Sequence, residues 1–169
     1  MRARDIMTKD PVCLRRDDTA RRAAEVMRDS DCGVIPIVDE NRRVIGIVTD
    51  RDLAIRAVAA GKSADVKIGE VMTPAAHCCS ADDDLRDVER KMADLQIRRI
   101  PICDAGGRCL GIISQADIAR AASSSDNSVT EEEVAVVLES ISQPSHSHRA
   151  REAVERVQGD VQGEVQAQL

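Results

Sequence analysis

The sequence predicts a mixed α+β or α/β protein made of two copies of one β-α-β-β-α unit, followed by a tail of different character. Three observations predict it: a gapless internal repeat, short apolar runs alternating with 3–4 spaced apolar stripes, and strand ends that pass directly into helices. Shifted against itself by 65 residues, the chain aligns without a gap from about position 5 to 56. Met7-Thr8 falls on Met72-Thr73, Cys13 on Cys78, and Asp17-Asp18 on Asp82-Asp83. Ile35-Pro36-Ile37 falls on Ile100-Pro101-Ile102, Gly46-Ile47 on Gly111-Ile112, and Asp52 on Asp117. Chance does not hold one register this long, and a repeat is settled before any other fold argument.

The elements follow in order. Thr19 and Asp84 stand at equivalent N-cap positions ahead of helices. The first helix carries Ala20, Ala23, Ala24 and Met27 as its stripe, the second Leu85, Val88, Met92 and Leu95. Val34–Val38 then reads as a strand, Asp39-Glu40-Asn41-Arg42 as a turn, and Val44–Val48 as the hairpin partner. Ile100–Cys103, Asp104-Ala105-Gly106-Gly107 and Cys109–Ile113 repeat the hairpin. Apolar runs of this length mark strands covered on both faces. Pro36 and Pro101 place those strands at an edge or beside a bulge, because proline cannot donate to the ladder. Ile68 to Met72 is expected as a short helix. The expected organisation is unit 1 at 2–60, a linker at 61–69, unit 2 at 70–122 and a tail at 123–169. Thr130-Glu131-Glu132-Glu133 opens an expected tail helix at 130–142. Residues 145–169 are expected to fray unless a partner orders them.

Composition narrows the function. With 169 residues a core burying roughly 70% of the unfolded surface is possible. Phe, Trp and Tyr are absent, so that core is aliphatic, and the usual aromatic platforms for stacking on a nucleobase are missing. The net charge of -6 also lacks the basic footprint of phosphate-backbone binding, which argues against nucleic acid. No apolar run approaches the roughly 20 residues of a membrane span, and the charged N-terminus has no signal-peptide core. The six cysteines form no C-x-x-C pair and no disulfide framework. A soluble, cytoplasmic, reduced protein is expected.

The chemistry concentrates at Gly46-Ile47-Val48-Thr49-Asp50-Arg51-Asp52 and Gly111-Ile112-Ile113-Ser114-Gln115-Ala116-Asp117. Each segment ends a strand and opens a helix, with a hydroxyl at the junction and an aspartate three positions later. Free N–H groups at a helix start favour an anion, the hydroxyl can bond a phosphate oxygen, and an aspartate one turn in suits a ribose diol. The glycines would let a ligand approach the strand. Ser/Thr-x-x-Asp is equally the pattern of a capping box, and the sequence leaves both roles open. His77-Cys78-Cys79 does not match the usual zinc-ligand spacings, so no metal site is expected. No catalytic motif stands out, so the chain is not expected to be an enzyme.

Met-Thr opening each unit, the Ile-Pro strand and the Gly-to-Asp ending together resemble a tandem pair of cystathionine-β-synthase (CBS) domains, a Bateman module. The resemblance covers about residues 2–122. It implies two units packed around a pseudo-two-fold axis, with two clefts that bind AMP, ADP, ATP or S-adenosylmethionine. Carried over by position, it implies a first site of Thr8, Val12, Ile35, Pro36, Thr49 and Asp52. A second site would use Thr73, His77, Ile100, Pro101, Ser114 and Asp117. Arg51 and Arg99 (beside Arg98) are candidate phosphate partners, and the first site is slightly favoured for its Thr and Arg. Thr73-Pro74-Ala75-Ala76, against Thr8-Lys9-Asp10-Pro11, is expected to rebuild one entrance. A homodimer is implied, with a further protein partner at the tail and no required cofactor. The alternatives are a nucleotide-free dimerisation scaffold and a cysteine-based metal or redox sensor. Adenine held without ring stacking points to micromolar rather than nanomolar affinity.

Overall fold

In the computed structural model, which describes residues 1–122 together with Ala135, Val136 and Glu139, each repeat begins with a short helix and a two-residue strand. In the first repeat these are α1 (Ala3–Ile6) and β1 (Thr8–Lys9), followed by α2 (Ala20–Asp29), β2 (Val34–Val38) and β3 (Val44–Thr49). α3 (Asp50–Asp52) follows and continues as a π-helical stretch, Leu53–Val58. The second repeat supplies α4 (Ile68–Val71), β4 (Thr73–Pro74), β5 (Cys79–Ser80), α5 (Leu85–Asp94), β6 (Arg99–Cys103), β7 (Cys109–Ser114) and α6 (Gln115–Ala122). The expected helix at 130–142 lies outside the described residues apart from Ala135, Val136 and Glu139, which are helical.

Local chemistry explains the elements. Thr19 accepts the Arg22 amide and Asp84 the Arg86 amide, so both expected N-caps form. Leu85, Val88 and Met92 are buried along α5. On α2 the buried stripe is Ala20, Ala23, Val26 and Met27, while Ala24 is exposed. The hairpins β2–β3 and β6–β7 share one register, Ile35↔Val48 matching Ile100↔Ile113. In their turns Asp39 Oδ1 accepts the Asn41 and Arg43 amides, and Asp104 Oδ1 those of Gly106 and Arg108. Each hairpin carries a bulge just past its proline, at Ile37/Val38 and at Ile102/Cys103. β2 is met on its outer side only by the bridge Leu14↔Ile37, and β6 by β5 only at Ile102 and Cys103, so each proline stands just before its strand's outer pairing begins.

The sheets do not divide where the repeat does. β1 pairs with β7 of the second repeat, and β4 pairs with β3 of the first, giving sheets β1-β7-β6-β5 and β2-β3-β4. The cores follow the sheets. Ile68, Val71 and Met72 pack with Leu14, Val26, Ile35, Ile37 and Val48. Ala3, Ile6 and Met7 pack with Leu85, Met92, Ile100, Ile102 and Ile113. The segment expected as a linker is part of this arrangement: the Ala64 and Val66 carbonyls accept the first amides of α2, Arg21 and Ala20. The Met1 carbonyl does the same for Leu85 at the start of α5. Each repeat therefore lends its opening turn to the other's core and its preceding carbonyl to the other's helix.

Two glycines make the exchange possible. A Cβ on Gly46 would lie 2.6 Å from the Thr73 carbonyl oxygen, and one on Gly111 would lie 2.5 Å from Met7 Sδ and 2.9 Å from the Thr8 oxygen. The space beside each glycine, expected for a ligand, is filled by the other repeat. The two entrances share one backbone, since Asp10 and Ala75, at equivalent positions, both take left-handed conformations (φ 46° and 52°). The hairpin turns meet at the pseudo-two-fold axis, where Arg43 bridges its counterpart Arg108, Val44 N–H bonds the Gly107 carbonyl (3.0 Å) and Cys109 N–H bonds the Arg42 carbonyl (3.1 Å).

Gly46→Ala and Gly111→Ala should each destabilise the protein by about 1–3 kcal/mol through overpacking. Urea unfolding monitored by circular dichroism measures this, and wild-type midpoints for both variants would contradict the notch.

Candidate functional site

The two Gly-to-Asp segments end β3 and β7, and in both the local chemistry is that of a completed cap. Thr49 Oγ1 accepts the Asp52 amide (3.0 Å), while Asp52 Oδ2 accepts the Thr49 amide (3.0 Å) and hydroxyl (2.8 Å). In the second repeat Asp117 Oδ2 accepts the Ser114 amide (2.8 Å) and hydroxyl (2.6 Å), and Ser114 Oγ accepts the Asp117 amide (3.3 Å). One carboxylate oxygen is thereby committed to the helix start. The other, Oδ1, points away from the cap and is the group left for outside chemistry.

What faces Oδ1 differs between the repeats. Asp52 Oδ1 meets the Thr73 hydroxyl at a long 3.5 Å and Arg56 Nε at 3.5 Å. Arg56 is anchored at its other end, donating to the carbonyls of Met72 (2.8 Å) and Val71 (3.2 Å). Asp117 Oδ1 is paired with Arg120, whose side chain is 74% exposed and has no other partner among the described residues. The carboxylates themselves are covered, with side-chain exposures of 12% for Asp52 and 8% for Asp117. A sequence signal for both arginines existed in their i+4 and i+3 spacing from the aspartates.

The structure regroups the expected site residues, because the opening strands cross. Thr73 lies with Thr49 and Asp52, opposite Ile47. Thr8 lies opposite Ile112, two residues from Ser114. The expected grouping of Thr8 with Asp52 and of Thr73 with Asp117 is therefore reversed. Ile35 and Ile100 are fully buried in the two cores, so their side chains cannot wall a ligand and only their backbone is on offer. Pro36 and Pro101 are buried on the opposite strand face, as alternation requires. Val12 is 50% exposed and His77 is exposed. Arg51 is exposed at the start of α3, its amide held by the Asp50 carboxylate (2.7 Å). Arg99 reaches from β6 toward the first repeat: its guanidinium and the Asp50 carboxylate both close on Gly33. Among the described residues no group of three or more His, Cys, Asp or Glu side chains could hold a metal ion, and no described helix is long and apolar enough to cross a membrane.

The repeat, the exchanged opening strands and the paired Ser/Thr–Asp ends coincide with one family. Its sequence model, that of the CBS domain, matches residues 3–58 and again 68–124. The chain belongs to the CBS-domain family. Hypoxic response protein 1 of Mycobacterium tuberculosis is 34% identical over 119 residues, covering 70% of this chain and 82% of that one. The CBS domain-containing protein YhcV of Bacillus subtilis is 33% identical over 116 residues, covering 69% and 81%. Among solved structures, Hypoxic Response Protein I with two coordinated zinc ions superposes with a TM-score of 0.66 at 34% identity, covering 71% of this chain and 98% of that one. The CBS domain pair of protein MJ0100, in complex with 5′-methylthioadenosine and S-adenosyl-L-methionine, has a TM-score of 0.66 at 30% identity, covering 71% and 94%.

The two arginines differ in anchorage, and their removal should differ in cost. Arg56→Ala should lower stability by about 1 kcal/mol or more, since it strips hydrogen bonds from two carbonyls at the end of α4. Arg120→Ala removes a 74% exposed guanidinium and leaves the Asp117 carboxylate its Ser114 hydrogen bonds, so it should cost less than Arg56→Ala. Equal unfolding midpoints for the two variants would show that the Arg56 anchor carries no weight.

Proposed function

We propose that this CBS pair is a non-catalytic sensor for an adenosine-bearing ligand (AMP, ADP, ATP or S-adenosylmethionine) that works as a cytoplasmic homodimer. The observation that carries the reading is a covered carboxylate at each strand end with one oxygen spent on the cap and the other held by an arginine. A ribose diol can donate to that second oxygen, and the displaced guanidinium can turn to phosphate or carboxylate. The similar MJ0100 pair, solved with two ligands that share an adenosine, supports the ligand class. Thr8, Val12, Pro36, Thr73, His77 and Pro101, with the backbone of Ile35 and Ile100, are the proposed surroundings, and Arg51 and Arg99 the proposed phosphate partners. CBS pairs resembling this chain also occur inside enzymes: inosine-5′-monophosphate dehydrogenase of Methanocaldococcus jannaschii is 31% identical over 117 residues, 23% of that protein. A module that resides beside catalytic domains of other proteins fits regulation better than chemistry of its own.

The cleft at Asp117 is proposed to fill before that at Asp52, reversing the preference drawn from sequence. Opening the first cleft breaks the Arg56 anchor to two carbonyls as well as its ion pair, whereas Arg120 only has to swing into solvent.

Isothermal titration of the purified protein with AMP, ATP and S-adenosylmethionine tests both statements. Micromolar binding of at least one is expected. Asp117→Asn, which keeps an oxygen for the cap, should weaken the tighter site about tenfold or more, and Asp52→Asn should spare it. Absence of heat and of any melting shift with all three ligands would leave the nucleotide-free scaffold as the better reading.

A further inference from the structure

Equivalent positions on the helices of the two repeats are unequally covered. Ala54 and Ala119 are the same residue at the same place in the repeat, yet Ala54 is exposed and Ala119 is part-buried. Ala24 is exposed on α2, while Glu89, which stands there on α5, is only 5% exposed. Leu53 is part-buried and Arg56 exposed, whereas their counterparts Ile118 and Ala121 are both buried. These four places lie on one pair of neighbouring helices, since α2 packs beside the Leu53–Val58 stretch in the first repeat and α5 and α6 are the counterparts in the second. The hairpins beneath share one register, so the extra cover on the second repeat points to chain that the first one lacks. Residues 123–169 are such chain. They follow α6 directly, whereas the first repeat runs on from Val58 into the carbonyls that start α2 and then into α4.

Segment 130–142 suits that face in pattern and in reach. Its apolar residues Val134, Val137, Leu138 and Ile141 recur at 3–4 spacing, which places them on one side of a helix. Ala135, Val136 and Glu139, the described residues of the segment, are helical and exposed, and the same spacing places them on the other side. Val136 is 63% exposed although it is apolar, so it stands on the wet side. Residues 123–129 can span up to about 23 Å when extended, and α6, which they would have to retrace, is only about 12 Å long.

We propose that residues 130–142 fold back as a helix across α5 and α6 of their own chain, laying Val134, Val137, Leu138 and Ile141 over Glu89, Ala119 and Ala121. Alanines at the last two positions let a second helix approach α6 closely, because interaxial distance is set by the side chains at the contact. The stripe of the segment gains a surface that a lone helix of this length lacks, and helices this short owe their stability to such packing. The first repeat carries no such strap. Ile55 and Val58 remain exposed on its Leu53–Val58 stretch, and that helix face stays open.

Hydrogen–deuterium exchange of the full-length protein without nucleotide, read by mass spectrometry, tests the strap. In the wild type, peptides from 130–142 should exchange about tenfold or more slowly than a random coil, at low and high protein concentration alike. Val137→Asp combined with Leu138→Asp should abolish that protection, speed exchange in α5 and α6 but not in α2, and lower the melting temperature by about 3 °C or more. Val136→Asp, on the wet side, should change none of these. Ala119→Arg should also release the segment, and the same substitution at the equivalent place, Ala54→Arg, should not. Random-coil exchange over 130–142 in the wild type, protection that grows with protein concentration (docking on a second copy), or α5 and α6 unaffected by the double substitution would each overturn the proposal.

Discussion

The close approach of a backbone carbonyl to a glycine is the contact on which the rest of this structure depends. At Gly46 it is the Thr73 oxygen and at Gly111 the Thr8 oxygen, and a Cβ at either place would collide with it. Once those notches exist, β4 can lie on β3 and β1 on β7. The helices that precede them then drop Ile68, Val71, Ala3 and Met7 into cores they would not otherwise reach. The carbonyls just upstream, Val66 and Met1, arrive at the N-termini of α2 and α5 and satisfy amides that a helix start leaves orphaned. One small residue thus sets strand pairing, core completion and helix capping together. Neither repeat is whole without the other.

That dependence explains what was legible in the sequence. Features set within a few residues were readable: Thr19 and Asp84 as caps, the buried face of α5 and most of that of α2 (Val26 in place of Ala24), the hairpins, and the Thr49–Asp52 and Ser114–Asp117 pairs. Each has its partner one turn or one hairpin away. The crossing strands were not readable, because a two-residue strand carries no periodicity and its partner lies dozens of residues off. Gly46 and Gly111 announced a close approach but not by what. The repeat itself was silent on this point, since a swapped pair and an unswapped pair inherit the same residues.

The same blindness governed the site. Grouping residues by repeat put Thr8 with Asp52, whereas the fold puts Thr73 there. Ile35 and Ile100 entered the expected site by position, carried over from the family resemblance. Strand alternation sends them inward, and with no Phe, Trp or Tyr in the chain the two small cores are built from large aliphatic side chains. What meets each aspartate is an arginine and short hydroxyl side chains, Thr49 and Thr73 at Asp52 and Ser114 at Asp117. Those groups supply hydrogen bonds but little apolar area.

A ligand seated at either aspartate would therefore be held by both repeats at once. At Asp52 the carboxylate belongs to the first repeat and the facing Thr73 to the second, while Arg56 ties the first repeat's helix to the carbonyls that end α4. Drawing Arg56 away from those carbonyls alters a contact between repeats, whereas drawing Arg120 from Asp117 alters a contact within one helix. A ligand shifts a conformational equilibrium only by its differential affinity for the two states. Equal affinities at the two clefts would then have unequal consequences, because a ligand at Asp52 disturbs the Arg56 contact between the repeats and a ligand at Asp117 disturbs only a contact within α6. The asymmetry comes from where one arginine stands, i+4 from Asp52 in the first repeat and i+3 from Asp117 in the second.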